Sequence, residues 1–453
     1  MSESASFAGF GRRCITPRWS SPLAGFARER WNLVVRDDLF VRALALTTAT
    51  SRIAILSVDI IWLPRALVDR VRNWAAREFG LPAAHLMMAA THTHSGPEIR
   101  ENSFYQPKVD FVARAAVFTA CCEALAEAFA ALQPSEVTAA SGSFAGAVNR
   151  RKQVVSADAL RHGRWRRETR NLPNPGGPRD ATWSALWVTQ RDRTIAVVNF
   201  ACHPTFLRGE EVSADFPGEL VLRLRESGVE DTLFLQGCSG NVVPDSVRAR
   251  PFPIGNPWQA LAWLSDRQQF IKPATTAEAE DLMRAFASGV AERILAAPRH
   301  LVGALTLAGR EVAVPLAVDP APDVDPSTER FAREYATWCE AKDLSASTSE
   351  AFHIQRLDLT PTHSLVAFEG EMFAEYACWL RSHFARRPWT AVVGCANGLV
   401  GYLPTRTALV EGGYETHRAQ MMSGLRGPFA ADTEERIHSA LRSLLEEPSR
   451  ALA

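Results

Sequence analysis

The sequence has no surplus of charge of either sign. Its 50 lysines and arginines balance 50 aspartates and glutamates over 453 residues, which removes the basic surface that nucleic acid or an anionic membrane would require. It has no CxxC pair, so a structural zinc finger has no support. The 8 cysteines are scattered, and Cys121-Cys122 and Cys378 sit inside apolar runs, the pattern of buried reduced thiols rather than of a disulfide framework. No run approaches the roughly eighteen apolar residues of a membrane span. The opening Met1-Ser2-Glu3-Ser4-Ala5-Ser6 lacks the basic and apolar segments of a secretory signal. These absences give the expectation of a cytoplasmic protein with no nucleic-acid partner and no stable membrane insertion.

What is present is a globular composition, 47% hydrophobic and 22% charged, in a chain long enough for a large core. Strand-like and helix-like runs alternate. Residues 52–61 read as a strand and 64–79 as an amphipathic helix, with proline in its first turn and Gly80 at its end. With the apolar run Leu86-Met87-Met88-Ala89-Ala90 they make a βαβ unit. A long apolar helix is expected over 109–132, with further helices at 219–226, 278–295 and 435–445. Strands are expected at 182–188, 194–200, 233–236 and 352–359. The fold class is therefore α/β, a layered catalytic domain with mixed sheets. No internal repeat is evident. Residues 166–179, with Pro173, Pro175 and two adjacent glycines, read as a mobile loop. Residues 251–270 read as a second insertion, either a helix packed on the core or a wall over a pocket.

Polar, metal-competent side chains follow four of the strand-like runs. Thr91-His92-Thr93-His94-Ser95-Gly96-Pro97 comes directly after Leu86 to Ala90, so its histidines lie at the carboxyl end of a strand, where open α/β sheets bind ligands. The pair is expected not to grip one metal symmetrically but to divide its roles, one as ligand and one as proton shuttle. His203 follows the run from Thr194 to Phe200, and Pro204 keeps it out of helical geometry. Glu369-Gly370-Glu371 follows Ser364 to Phe368. Tyr402 and Tyr414 lie in the loop after Thr390 to Gly394.

Taken together, these pieces resemble the catalytic domain of the neutral, non-lysosomal ceramidases, zinc-dependent amidohydrolases that cut the N-acyl bond of ceramide. The matching stretches span nearly the whole chain. They are Gly9-Phe10-Gly11 with Ile15-Thr16-Pro17, Thr91 to Pro97, Asn149-Arg150, Asn199 to Thr205, Ser213 to Gly218, Gln236 to Asn241, Gly370-Glu371, and Tyr402 to Glu415. The resemblance implies one catalytic domain over 1–453, without the C-terminal immunoglobulin-like domain that complete ceramidases carry. It implies that His92, His203, Glu371 and Tyr402 ligate zinc. It also implies that His94, Arg150 and Tyr414 line the reaction centre off the metal. Two imidazoles, a carboxylate and a phenol suit zinc as a donor set. Metal-activated water would attack the amide carbonyl, with His94 protonating the departing amine and Tyr414 meeting the developing oxyanion.

The sequence departs from the family where a serine is usual. Here the aligned stretch is Gly240-Asn241-Val242-Val243-Pro244, and valine cannot act as a nucleophile. Ser239 has no histidine paired with it in sequence, which disfavours an acyl-enzyme. Asn241 could offer its amide to a substrate. Arg151 leaves the register of Arg150 open, with a surface salt bridge as the alternative role. Asp59 is expected either to hold a ligand imidazole or to cap a turn, and Asp215 has similar status. Histidines 85, 162, 300, 353, 363, 383, 417 and 438 carry no motif and read as structural. The substrate follows only from the resemblance. It is ceramide, another N-acyl amine or a small amide of a biosynthetic pathway. The alternatives are an amide-forming cyclase and a zinc-containing binding homologue without turnover.

Overall fold

The computed structural model describes residues 6–446 apart from 27–29, 33, 102–107, 157–164, 247, 250–269, 272, 274, 320–348, 385–388 and 426. Within them, the apolar runs form strands buried on both faces, and one plan recurs three times. In the first unit, β1 (Phe7–Cys14), β2 (Phe40–Thr47) and β3 (Arg52–Val58) pair antiparallel. Helix α1 (Arg65–Phe79) then crosses over, β4 (Leu86–Ala90) returns parallel to β3, and α2 (Phe111–Ala130) follows. The second unit runs β5 (Glu136–Ser143), β6 (Thr182–Thr189), β7 (Thr194–Phe200), α3 (Asp215–Glu226), β8 (Asp231–Gln236) and α4 (Thr276–Ala296). The third runs β9 (Ala308–Ala317), β10 (Ser349–Thr360), β11 (His363–Phe368), α5 (Ala374–His383), β12 (Trp389–Val393) and α6 (Thr433–Glu446).

The hydrogen-bonded order is the same each time, β4-β3-β2-β1, β8-β7-β6-β5 and β12-β11-β10-β9. Two-residue edge strands, Gln133–Pro134 and His300–Leu301, extend the first two sheets. The expectation of no internal repeat is thus corrected at the level of structure. The repeat escapes inspection because the connections between equivalent strands differ widely in length and each unit fills the plan with different side chains.

Strand alternation explains the packing. Leu44, Ile55 and Met87 of the first sheet meet Leu186, Val197 and Leu235 of the second and Leu357, Leu365 and Ala391 of the third in one helix-free core. The opposite face of each sheet is covered by its own helix pair. Ala43, Leu56 and Met88 lie under Val68, Val71, Val117 and Cys121. Phe200 and Phe234 lie under Leu220, Leu224, Phe286 and Val290. Val366 and Phe368 lie under Tyr376, Leu380, Ile437 and Leu441. Both faces of the parallel pairs are therefore dry, which is why they read as unbroken apolar runs.

The parallel edges of the three sheets are stitched to one another. Asn199 on β7 donates to the carbonyls of Leu235 and Val392, each at 3.0 Å. Gly394 N–H donates to Gln236 and Ala90 N–H to Cys395. The loops leaving β3, β4, β7, β8, β11 and β12 consequently open toward one point.

Residues 166–179 are not a loop throughout. Arg167–Asn174 forms a strand antiparallel to Ala147–Val155. It is polar along its length, so no alternation marks it, and the ladder to its partner supplies the regularity. The second expected insertion lies outside the described residues except for Phe270. No helix among the described residues is long and apolar enough to cross a membrane.

Candidate metal centre

His92 leaves β4 with φ at 68°, a left-handed conformation uncommon for a histidine. Its N–H bonds to the Ile60 carbonyl, and its Nδ1 donates to the carbonyl of Ile61 at 2.8 Å. His203, after β7, donates Nδ1 to the carbonyl of Ser239 at 2.7 Å. Carbonyl oxygens only accept, so both imidazoles carry their proton on Nδ1 and present Nε2 as an acceptor.

Those two Nε2 atoms lie 3.2 Å apart. Oε2 of Glu371 joins them, 3.3 Å from His92 and 3.2 Å from His203, yet it has no well-formed hydrogen bond among the described residues. Three buried acceptor atoms in mutual contact repel one another unless a cation or an extra proton sits among them. Glu371–Met372 pairs in parallel with Tyr402–Leu403, so Glu371 and Tyr402 stand side by side by register. The loop after β8 presses on this ladder: a Cβ on Gly240 would lie 2.5 Å from the Glu371 carbonyl oxygen. That contact requires glycine.

His94 reaches the same centre. Residues two apart in an extended strand share a face, but the turn at His92 breaks the strand and brings the two rings together edge to face, centroids 5.0 Å apart. The nearest nitrogens of His92, His94 and His203 all lie within 4.8 Å, and this buried trio could hold a metal ion. His94 differs from the other two in that neither ring nitrogen has a hydrogen-bond partner among the described residues. Gly25, at φ +100°, lets the chain pack against it; a Cβ there would lie 2.6 Å from the ring's Cγ and Nδ1. Arg30 donates to the His94 carbonyl.

Arg150 is largely shielded from solvent and pairs with the fully buried Glu415 rather than forming a surface salt bridge. Its Nε donates to Glu415 at 2.8 Å, and one Nη donates to the Gly240 carbonyl at 2.8 Å and to the Tyr402 hydroxyl at 3.2 Å. A bulge between Asn149 and Arg151 lets the neighbouring Arg151 reach the other oxygen of Glu415. The register question therefore resolves to Arg150 beside Tyr402. Tyr414 opens the π-helical turn Tyr414–Arg418, with its ring 6.1 Å from that of Tyr402.

The charges of this cluster follow from its burial. Burial opposes a charged His92, but Cys395 and Glu371 outweigh it and raise the imidazole well above its ordinary value. Burial and then Arg150 push His203 down to about 4. Burial opposes ionisation of Glu371, but His92 and His203 hold it well below the usual carboxylate range. Burial, with the charges of His92 and His203, drives His94 far down. Burial and Glu371 lift the Tyr402 phenol against the pull of Arg150. Together these shifts favour an ionised Glu371 beside a protonated His92.

Several expectations are corrected here. Asp59 holds no imidazole; it accepts from Arg42 at 2.8 Å and from the Phe40 N–H, because backbone carbonyls already orient the rings of His92 and His203. Asp215 accepts from the N–H groups of Leu207 and Phe216. Asn241 is turned to the start of α5, accepting from Ala374 N–H and donating to Glu375, so its amide is held there rather than aimed at the cluster. Val243 pairs in a short ladder with Val148. Ser239 meets His203 through its carbonyl. Sequence reading missed Glu415, which clamps Arg150 and Arg151, and missed Trp62, Glu98 and Arg100 beside His92. Pro97-Glu98-Ile99-Arg100 continues straight from the histidine motif, so the signal was adjacent.

No protein-family model and no curated protein matches the chain. Solved structures do, two of which follow. A neutral ceramidase from Pseudomonas aeruginosa superposes with a TM-score of 0.68 at 19% identity, over 100% of this chain and 77% of that one. A ceramidase complexed with C2 gives 0.67 at 18% identity, over 99% and 77%. At such identities the likeness is one of fold, and the fold of this chain is that of the neutral ceramidases.

Proposed function

We propose that the chain is a zinc-dependent amidohydrolase that cleaves an N-acyl amide bond, with His92, His203, Glu371 and Tyr402 as the ligands. One observation carries the reading. Zinc bonds of about 2.0–2.1 Å in a tetrahedron separate neighbouring ligand atoms by about 3.3–3.4 Å, and the contacts among His92 Nε2, His203 Nε2 and Glu371 Oε2 are 3.2, 3.2 and 3.3 Å. Calcium bonds are longer and would spread the same atoms further. The ceramidase fold supports amide hydrolysis as the reaction class.

When bound, zinc supplies Lewis acidity to the amide carbonyl and brings the pKa of water to about 7. The protein's own groups do the rest. His94, neutral at pH 7 because its pKa is driven down, accepts the proton of the attacking water at Nε2, on the ring edge away from Gly25. The imidazolium so formed is a strong acid and hands that proton to the departing amine nitrogen. Tyr414 donates its hydroxyl to the developing oxyanion. Arg150 is a positioning residue that orients Tyr402 and the Gly240 carbonyl, and Glu415 fixes it. Acyl transfer to serine is not part of the scheme.

The test is hydrolysis of ceramide, an N-acylethanolamine and an N-acylglycine before chelation, after chelation and after zinc is restored. Activity on at least one amide, lost and regained in that order, is expected. Hydrolysis indifferent to the chelator, or none on any N-acyl amide with zinc present, refutes the reading.

A further inference from the structure

Next to the metal centre stands a second group of side chains with unmet polar atoms. Trp62, in the loop after β3, has its ring 6.4 Å from that of His92. The guanidinium of Arg100 lies over Trp62, with Cζ 3.7 Å from the ring centroid. Its Nε and one Nη are out of solvent and have no hydrogen-bond partner among the described residues. Glu101, the adjacent acid, pairs with Arg114, and Glu98 is fully buried but spends Oε1 on the backbone N–H of Arg100. Its Oε2 has no well-formed hydrogen bond among the described residues, although Arg100 and the Trp62 indole both act on the carboxylate. Burial opposes the charge of Arg100, and Glu98 first, then Glu371 and Tyr414, act on the guanidinium electrostatically, which places it within reach of the metal-centre cluster.

A desolvated guanidinium with idle donors is costly to fold around. Stacking on indole fixes its plane and leaves the edge free. A planar guanidinium edge is matched by a carboxylate, which can take two parallel N–H bonds. A neutral lipid amide offers nothing of the kind.

We infer that Arg100, seated on Trp62, is a specificity-determining residue that binds a carboxylate carried by the amine portion of the substrate. The substrate class is then an N-acyl amino acid or a close relative. This inference rests on the amidohydrolase reading for the reaction but not for the binding. The scissile carbonyl would lie toward His92 and His203 and the carboxylate one aromatic ring away, against Arg100. Glu98 holds the main chain of Arg100 and sets where the guanidinium points.

The test compares N-dodecanoylglycine with N-dodecanoylethanolamine, equal in acyl length and differing in charge, on the zinc-loaded protein and on Arg100→Gln and Arg100→Lys. The unaltered protein is expected to favour the glycine conjugate in kcat/KM. Arg100→Gln should lose about 10- to 100-fold on that substrate, the scale of a charge-assisted hydrogen bond, and less than about threefold on the ethanolamide. Arg100→Lys should recover part of the loss. Calorimetric binding of N-dodecanoylglycine to His94→Ala, with and without Arg100→Gln, reads the same contact without turnover. Equal losses on both substrates, no loss on either, or a preference for the neutral amide overturns the inference while leaving amide hydrolysis intact. Arg100-dependent binding of the carboxylate with no hydrolysis of any amide supports the inference and refutes the reaction instead.

Discussion

Metal binding should release protons, and their number is set by the buried cluster. Without metal, Glu371 is ionised, His203 and His94 are neutral, His92 holds an extra proton and Tyr402 keeps its own. A cation bound by His92 must displace the first of these protons, because a nitrogen cannot hold both. Arg150 donates to the Tyr402 oxygen at 3.2 Å, which favours the phenolate once a cation is present, so the second proton should leave as well. About two protons are therefore expected per zinc at pH 7. Each released proton adds about 1.4 kcal/mol of affinity per pH unit, so affinity should climb about a hundredfold from pH 6 to pH 7. Calorimetry of zinc binding to chelator-stripped protein, in two buffers of different ionisation enthalpy, counts the protons directly. Tyr402→Phe should lower the count by one. Zero release, or affinity independent of pH, would refute the assignment of His92 and Tyr402.

Three further outcomes follow from the same geometry. His94→Ala should keep its zinc, because His94 stands outside the 3.2–3.3 Å contacts, and should lose turnover by about 10²–10⁴-fold; zinc loss equal to that of His92→Ala, by elemental analysis, would make it a ligand. Ser239→Ala should keep most of its activity, since the carbonyl that holds His203 survives the change; an acyl adduct on any serine in rapidly quenched intact-mass spectra would overturn the water mechanism. Burial raises Asp215 to about 7 and Asp37 to about 6, above an unfolded value of about 3.9. Their stabilisation is complete below about pH 4 and is lost as pH rises through about 6 to 7. Chemical unfolding should therefore show Asp215→Asn flattening a decline of about 1–4 kcal/mol between pH 4 and 8; a steeper decline in the variant contradicts this.

The site was legible where chemistry and apolar patterning coincide. Leu86–Ala90 and Thr194–Phe200 are strands over the expected residues, because both their faces are dry and nothing polar interrupts them before His92 and the loop to His203. Glu371 and Tyr402 stand side by side in a two-residue ladder that carries no pattern of its own. What stayed hidden is made by the backbone. The carbonyls of Ile61 and Ser239 orient the two imidazoles, and any residue supplies a carbonyl. The left-handed turn at His92 is likewise invisible in a run of threonine and histidine. The polar strand Arg167–Asn174 lacks alternation because its surroundings, including Glu411 against Thr169, satisfy both faces with polar contacts.

The central claim concerns which four atoms hold the ion, and anomalous diffraction at the zinc edge from zinc-loaded crystals tests it most directly. The account predicts a single strong peak about 2.0–2.2 Å from Nε2 of His92, Nε2 of His203, a carboxylate oxygen of Glu371 and the hydroxyl oxygen of Tyr402, with His94 beyond bonding distance. A peak bonded to His94 in place of Glu371 or Tyr402, or no peak at this cluster, would contradict it.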